Sequence, residues 1–532
     1  MHMSRDNLTS GALIIATLAL SLFYSHGRIM WSDELFGWML VTDPSIDHML
    51  HAWNAGADGG GVLFYMLARL WLALFGQTAT AFRLFSATGV ALGAVFTFRA
   101  SRLFFRWEIA AFCVSLLWFS SDVVLWQIMQ ARFYGLLLAG VAAAAYLFVL
   151  TSDTLTTKRL VLTFLCHTLL AGTHPFGVLY SGVIIFVMIS SDVLAHRLRT
   201  RLYLAALSGW WILLLSIKAM RNTAAVGKPH FWTTKPELVD LGNAYSCWSL
   251  ATAVVLGTLA TFFIARLCFA RVQQKRMWET VTADRSILLL SAGLLSVPLF
   301  VFLISQHGNS LFVDRYLVPV VIGMCFLLCQ LLSSLIPASD SADRASSLVA
   351  SKLFRYAWLA LAPVLALIAL VQFPSYWRYP APDSNLGLIP LLPKDLPLVV
   401  EAVDVFDQLL AYHREPGYQF TYLLDWENVT APGSPRGEVS GYHEMENWRS
   451  VGYFSGSIQY SDTFLAQTPA FVVIDDPGLF WFDRKIRLNP GFEVQALGEI
   501  NRGPKSAGTL KLWLVRRRFA LARESVDDSD RP

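Results

Sequence analysis

The chain is short of charge for its length. Only 15% of its 532 residues are Asp, Glu, Lys or Arg, whereas a soluble domain carries about 25%. That shortage excludes a wholly water-exposed chain. The net charge of +4 is small and spread among loops. No basic block interleaved with aromatics is present, which excludes nucleic acid as a partner. Cysteine is scarce too. All six (Cys113, Cys166, Cys247, Cys268, Cys325 and Cys329) lie in or beside apolar runs, with no CxxC pair and no Cys/His ligand spacing. Structural disulfides and zinc are therefore not expected. Cys325 and Cys329 share a helix face, as packed core thiols do. A cleavage pattern is missing as well. The apolar run Gly11 to Tyr24 follows Arg5, but Ser25-His26-Gly27-Arg28 offers no small-x-small site, so an uncleaved first membrane helix is expected.

What is abundant is apolar sequence, 55% of the chain. Length alone would suggest roughly three domains, but the apolar residues gather in runs of about 17 to 25, the length that crosses a bilayer core. Spans are expected near 10–26, 81–101, 108–122, 133–151, 159–173, 175–191, 202–219, 247–266, 286–305, 315–336 and 356–373. With the N-terminus in the cytoplasm, every inside segment is basic: Arg5; Arg102 and Arg106; Lys158 and Arg159; Arg197, Arg199 and Arg201; Arg271, Lys275, Arg276 and Arg285; Arg344, Lys352 and Arg355. The first outside loop is acidic, with Asp33, Glu34, Asp43, Asp47 and Asp58. This follows the positive-inside rule. The odd number of spans puts the C-terminus outside.

The run Val62 to Phe75 is short and contains Arg69. Counting it as a span would invert all later loops. It is therefore expected to lie in the outer interface, with Arg69 reaching headgroups. The loop from Met220 to Tyr245 carries Arg221, Lys228, His230 and Lys235 beside Phe231 and Trp232, either an interfacial loop with aromatic anchors or a contact for an anionic ligand.

Prolines at 374, 380, 382, 390, 393 and 397 mark a stiff linker over 374–397. The expected organisation is a membrane domain over 1–373, this linker, and a soluble α/β domain over 398–532 on the outer side. In that domain Leu398 to His413 reads as a helix, and Phe420 to Leu424, Phe471 to Ile474 and Leu510 to Val515 read as strands. It holds no catalytic motif. The Asn428-Val429-Thr430 sequon is taken as chance.

The groups capable of chemistry fall on one side of this topology. Asp33 and Glu34 follow the first span directly, where a carboxylate can accept a proton from an incoming hydroxyl or amine. The alternative is a solvated acidic cap. In Trp126-Gln127-Ile128-Met129-Gln130-Ala131-Arg132-Phe133-Tyr134, Arg132 opens a span from outside. It either binds a phosphate, pairs with a first-loop acid, or snorkels. His174 lies in an outer turn, and Asp314-Arg315-Tyr316 opens the tenth span from outside, as a cap and ion pair or as a phosphate contact. Ionisable groups gathered at one membrane boundary favour a site there.

These pieces, in this order, resemble the GT-C-fold membrane glycosyltransferases, specifically the family 39-like group of dolichyl-phosphate-mannose protein mannosyltransferases and aminoarabinose transferases. The resemblance runs over about 10–375. It rests on Asp33-Glu34, the stretch Leu63 to Trp71, Phe82-Arg83-Leu84-Phe85-Ser86-Ala87, Gln130-Ala131-Arg132-Phe133-Tyr134-Gly135-Leu136, Thr173-His174-Pro175-Phe176-Gly177 and Asp314-Arg315-Tyr316-Leu317-Val318-Pro319. It implies a catalytic role for Asp33, with Glu34 beside it, and a donor pocket containing Arg132, Tyr134, His174, Arg315 and Tyr316. One departure stands out. The family carries His-Pro-Pro before the interfacial helix, and this chain has Asp58-Gly59-Gly60-Gly61, a loop expected to be flexible. Either Asp58 replaces the histidine's polar function or this branch takes another substrate. Asp58, Lys228 and His230 thus form a candidate substrate loop.

The implied activity is inverting transfer of a sugar from a polyprenyl-phosphate donor to a lipid, glycan or protein acceptor at the outer face of an inner membrane, without cofactor or metal. The competing class is a transporter or flippase for lipid-linked glycan, or a noncatalytic polyprenyl-phosphate binder. Transporters show internal repeats and mid-membrane charges, and neither is evident here.

Overall fold

A computed structural model of the chain describes residues 4–26, 28–152, 154–226, 233–245, 285–308, 310–335, 390, 392–413, 417–501 and 509–518. The expected spans at 247–266 and 356–373, most of the 374–397 linker, Lys228, His230, Cys247 and Cys268 lie outside the described residues. Two units are present: Met1–Arg28 with Phe36–Tyr379, and Ile29–Leu35 with Pro380–Pro532.

In the first unit the apolar runs are helices: α1 (Arg5–Ser25), α2 (Ser32–Thr42, whose first residues belong to the second unit), α3 (Ile46–Ala55), α4 (Val62–Phe75), α5 (Ala79–Arg102), α6 (Trp107–Ser120), α7 (Asp122–Met129), α8 (Tyr134–Leu150), α9 (Thr157–Thr173) and α10 (Pro175–Leu194). Further helices cover Thr200–Ser208, Leu213–Val226, Leu238–Tyr245, Arg285–His307, Asp314–Leu317 and Val320–Leu335. Among the described residues five helices are long and apolar enough to cross a membrane by length and composition.

Two expected spans are interrupted. The run at 108–122 breaks at Ser121, whose side chain caps α7, and the run at 202–219 passes through a 3-10 turn at Gly209–Ile212. The α5–α8 contact shows why the second half of the Gln130–Leu136 motif has its composition. A Cβ on Gly135 would lie 2.0 Å from the Ser86 carbonyl oxygen, and one on Gly89 would lie 2.4 Å from the Gly135 carbonyl carbon. Small residues let two apolar helices approach backbone to backbone. That crossing fixes Tyr134 at the start of α8.

In the second unit a six-stranded sheet has the order β3-β2-β1-β4-β6-β5, with β1 Pro397–Val400, β2 Gln419–Leu424, β3 Ile458–Tyr460, β4 Ala470–Asp475, β5 Phe492–Asn501 and β6 Thr509–Arg517. Strands β3, β2, β1 and β4 run parallel, and β6 and β5 close the sheet antiparallel. The core on one face joins Val399, Leu423, Phe471, Val473 and Val515 to Phe464, Trp481, Phe482 and Ile486.

The helix expected from Leu398 begins instead at Val403 and ends at Tyr412. Leu398, Val399 and Val400 form central strand β1 and are at most 1% exposed. A strand covered on both faces reads as a continuous apolar run, which periodicity cannot separate from a buried helix. Asn428 of the sequon is buried.

Candidate active site

The Gln130–Tyr134 and Thr173–Gly177 motifs and the Asp314–Tyr316 turn converge in the membrane unit. Phe133 stacks on His174 with ring centroids 4.6 Å apart. Tyr316 lies 5.0 Å from His174, 4.9 Å from Phe176 and 5.9 Å from Tyr134. The Arg315 guanidinium carbon is 5.9 Å from the ring centroids of both Tyr134 and Tyr316. Tyr180 ties down this turn, its hydroxyl donating to the Tyr316 carbonyl at 3.3 Å. The helix at Asp314 is capped by Val313 without a side-chain bond, so Asp314 does not supply the expected cap.

His174 caps α10. Its Nδ1 accepts from the Phe176 backbone N–H at 3.2 Å, and the following Pro175 occupies a helix-start position where its missing N–H is not needed. Burial first, then the positive fields of Arg132 and Arg315, push its imidazole down to about 3.

Arg132 takes one of the roles open to it in the sequence, pairing with a first-loop acid. Its two terminal nitrogens donate to Asp58 Oδ2 and Oδ1 at 3.1 and 3.2 Å. Both side chains are less than a tenth exposed, so Arg132 does not snorkel.

The glycines after Asp58 differ from expectation: the loop is pinned, not flexible. Gly61 N–H donates to the Thr173 carbonyl at 2.8 Å, and a Cβ at Gly61 would lie 2.1 Å from the Gly172 oxygen. Gly60 N–H donates to the Tyr65 hydroxyl, and its carbonyl accepts from Trp53 Nε1 at 2.9 Å. Glycine is required here because two backbones touch. Arg69 has protein partners as well. Its guanidinium donates to the carbonyls of Val41, Asp43 and Pro44, which fastens α4 to the end of α2.

Gln127 and Gln130 were visible in the sequence without a role. They are 2% and 3% exposed, and their four amide atoms have no hydrogen-bond partner among the described residues. Buried amides are almost always paired, so these two side chains stand out among the described residues.

The two first-loop acids belong to the second unit and differ sharply. Glu34 is 1% exposed, and its Oε2 accepts from the Trp31 backbone N–H at 3.2 Å. That is the return half of a capping box, a glutamate at the third helical position closing on the cap residue. Asp33 is half-buried in the first turn of α2. Among the described residues no group of three or more His, Cys, Asp or Glu is placed to hold a metal ion.

No family model matches the chain, and no curated protein matches it in sequence. Solved structures do match in fold. ArnT from Cupriavidus metallidurans in the apo state is 13% identical, with a TM-score of 0.58 over 95% of this chain and 97% of that one. The same protein bound to undecaprenyl phosphate is 13% identical, with a TM-score of 0.55 over 94% and 97%. The archaeal oligosaccharyltransferase AglB from Archaeoglobus fulgidus, in complex with an inhibitory peptide and a dolichol-phosphate, is 12% identical, with a TM-score of 0.43 over 87% and 69%. The expected architecture is thus the one present: a helical GT-C fold followed by a C-terminal α/β domain.

Proposed function

We propose that the chain transfers a sugar from a polyprenyl-phosphate donor to an acceptor hydroxyl or amine of a lipid, glycan or protein at the outer face of an inner membrane. The observation that carries this reading is the arginine set among buried aromatics. Arg315 stands over Tyr134 and Tyr316, and Tyr316 lies beside His174. A guanidinium suits a phosphate that gains charge as the sugar leaves. The ArnT structure of like fold holds undecaprenyl phosphate, which supports the same ligand class here.

In this reading Asp33 accepts the acceptor's proton, and the acceptor oxygen or nitrogen forms its bond to the anomeric carbon as the bond to the carrier phosphate breaks. Inversion follows from that single displacement. Arg315 holds the phosphate. Arg132, tied to Asp58, supports the pocket wall and adds positive field. The basic loops between the expected spans support a cytoplasmic N-terminus and a periplasmic C-terminal domain.

The test uses purified protein in lipid discs with undecaprenyl phosphate carrying radiolabelled pentoses or hexoses, and an envelope lipid extract as acceptor. Label should move to an acceptor product. Arg315→Ala should weaken undecaprenyl phosphate binding by an amount corresponding to about 1.5–3 kcal/mol. Carrier binding without label release from any donor would favour a noncatalytic binder, and unchanged affinity in Arg315→Ala would remove that residue from the site.

A further inference from the structure

The residues just before Asp33 are gripped by one helix of the C-terminal domain. Met30 backbone N–H donates to the Tyr412 hydroxyl at 2.8 Å. The Met30 carbonyl accepts from Gln408 Nε2 at 3.4 Å. Ser32 Oγ donates to Asp407 Oδ2. Met30, Ser32, Asp407 and Gln408 are all less than a tenth exposed. The gripping helix, Val403–Tyr412, is itself fixed to the sheet by Val405, Phe406 and Leu409, none of which has measurable exposure, and Phe406 packs on Tyr422 of β2.

An acid in such a place has no packing rationale. Burial drives the Asp407 carboxyl well above its ordinary range, with the Ser32 hydroxyl opposing. A leucine would fill the space without that penalty. Asp407, Gln408 and Tyr412 instead bring three polar groups to a three-residue stretch more than 370 positions away in sequence. A catalytic base must be held to within about 0.5 Å of its productive position, and a misplacement of about 1 Å can lower a rate by about a hundredfold.

We infer that Asp407 and Tyr412 are positioning residues for sugar transfer: they hold the Met30–Ser32 backbone so that the Asp33 carboxylate is presented in one orientation. This gives the Val403–Tyr412 helix a part in presenting the base. The inference rests on the reading of Asp33 as the base.

The experiment uses full-length protein and the variants Ser32→Ala, Tyr412→Phe, Asp407→Leu and Asp407→Asn. Three quantities are read: hydrogen exchange over residues 29–35, kcat and KM for the donor that supports transfer in the parent, and undecaprenyl phosphate affinity. In Ser32→Ala and Tyr412→Phe, exchange over 29–35 should quicken and kcat should fall by about tenfold or more, with KM and carrier affinity unchanged. Asp407→Asn keeps an acceptor for Ser32 and should stay near the parent rate, whereas Asp407→Leu should lose it. Should Asp407→Leu fail to fold, the two conservative variants decide. Parent-like exchange or parent-like kcat in both overturns the positioning role. A fully active Asp33→Asn overturns the reading of the base itself and the positioning role with it; an inactive Asp33→Asn beside full-rate Ser32→Ala and Tyr412→Phe overturns the positioning role alone.

Discussion

Asp58 and Arg132 meet as a bidentate, buried pair at 3.1 and 3.2 Å. Such a pair is weak support for net stability, but removing one partner leaves the other charge buried and uncompensated, at about 3–5 kcal/mol. Asp58→Ala should therefore lower the unfolding free energy by about that amount, and Asp58→Asn by less, because the amide still accepts one bond. Thermal unfolding in detergent reads both. An Asp58→Ala protein as stable as the parent would mean that Arg132 finds another counter-charge.

Gln127 and Gln130 make an opposite prediction for stability and for binding. Their amide atoms are buried without partners among the described residues, and each unsatisfied group costs about 1–3 kcal/mol. Replacement by Met should leave the fold as stable as before, or more so. If the amides serve the hydroxyls of a donor sugar, the same changes should weaken the sugar-bearing donor by about tenfold, one hydrogen bond's worth, and leave undecaprenyl phosphate affinity alone. Titration of both lipids against each variant separates the two effects. A loss of stability in both Met variants would show that protein groups satisfy the amides.

How far these features could be seen in the sequence depends on the range of the interaction behind them. Helices α5, α6, α8, α9 and α10 follow from local apolar runs, and their ends are within a few residues of expectation; α7 has no expected counterpart. The motif residues Tyr134, His174, Arg315 and Tyr316 gather because each sits at the same end of its helix, which loop sidedness encodes. Strand β1 was missed because burial on both faces erases the period-two signal. The Gly59-Gly60-Gly61 run was misjudged because a glycine that frees a chain and a glycine that admits a neighbour look identical until the neighbour, Gly172, is known. The Ser32–Asp407 bond joins positions with no motif and no local pattern, and nothing short of the fold reveals it.

The C-terminal domain should lose stability as pH rises through the weakly acidic range. Burial, with Asp476 acting in the same direction against Arg484, raises Glu438 from 4.5 to about 7. The folded state therefore binds a proton that the unfolded state has already released. Stability is highest below about 4.5 for this group, declines as pH rises from there to about 7, and is flat above. Glu438→Gln should remove that part of the slope. Asp407 and Glu401, raised well above their ordinary values by burial, contribute slopes of the same sign that persist in the variant. Tryptophan-fluorescence melts of the full chain across this range check the difference. Identical slopes for parent and Glu438→Gln would show that Glu438 titrates normally.

The sharpest prediction separates the two adjacent acids. Glu34 is committed to its own helix, closing on the Trp31 N–H, and glutamine can make the same return bond. Glu34→Gln should therefore fold and keep most of its transfer activity. Asp33, one position earlier in the helix, is not the residue that closes on this N–H. Asparagine in its place preserves shape and much of the hydrogen bonding but cannot take a proton from an acceptor. Base catalysis contributes about 10²–10⁴ in rate, so Asp33→Asn should lose transfer by that factor while binding undecaprenyl phosphate as the parent does. Single-turnover transfer from a radiolabelled donor measures the chemical step apart from binding. Normal turnover in Asp33→Asn with a dead Glu34→Gln would mean that the buried acid leaves its cap to do the chemistry. Activity in both variants would remove the first loop from the mechanism, and with it the assignment of the base on this chain.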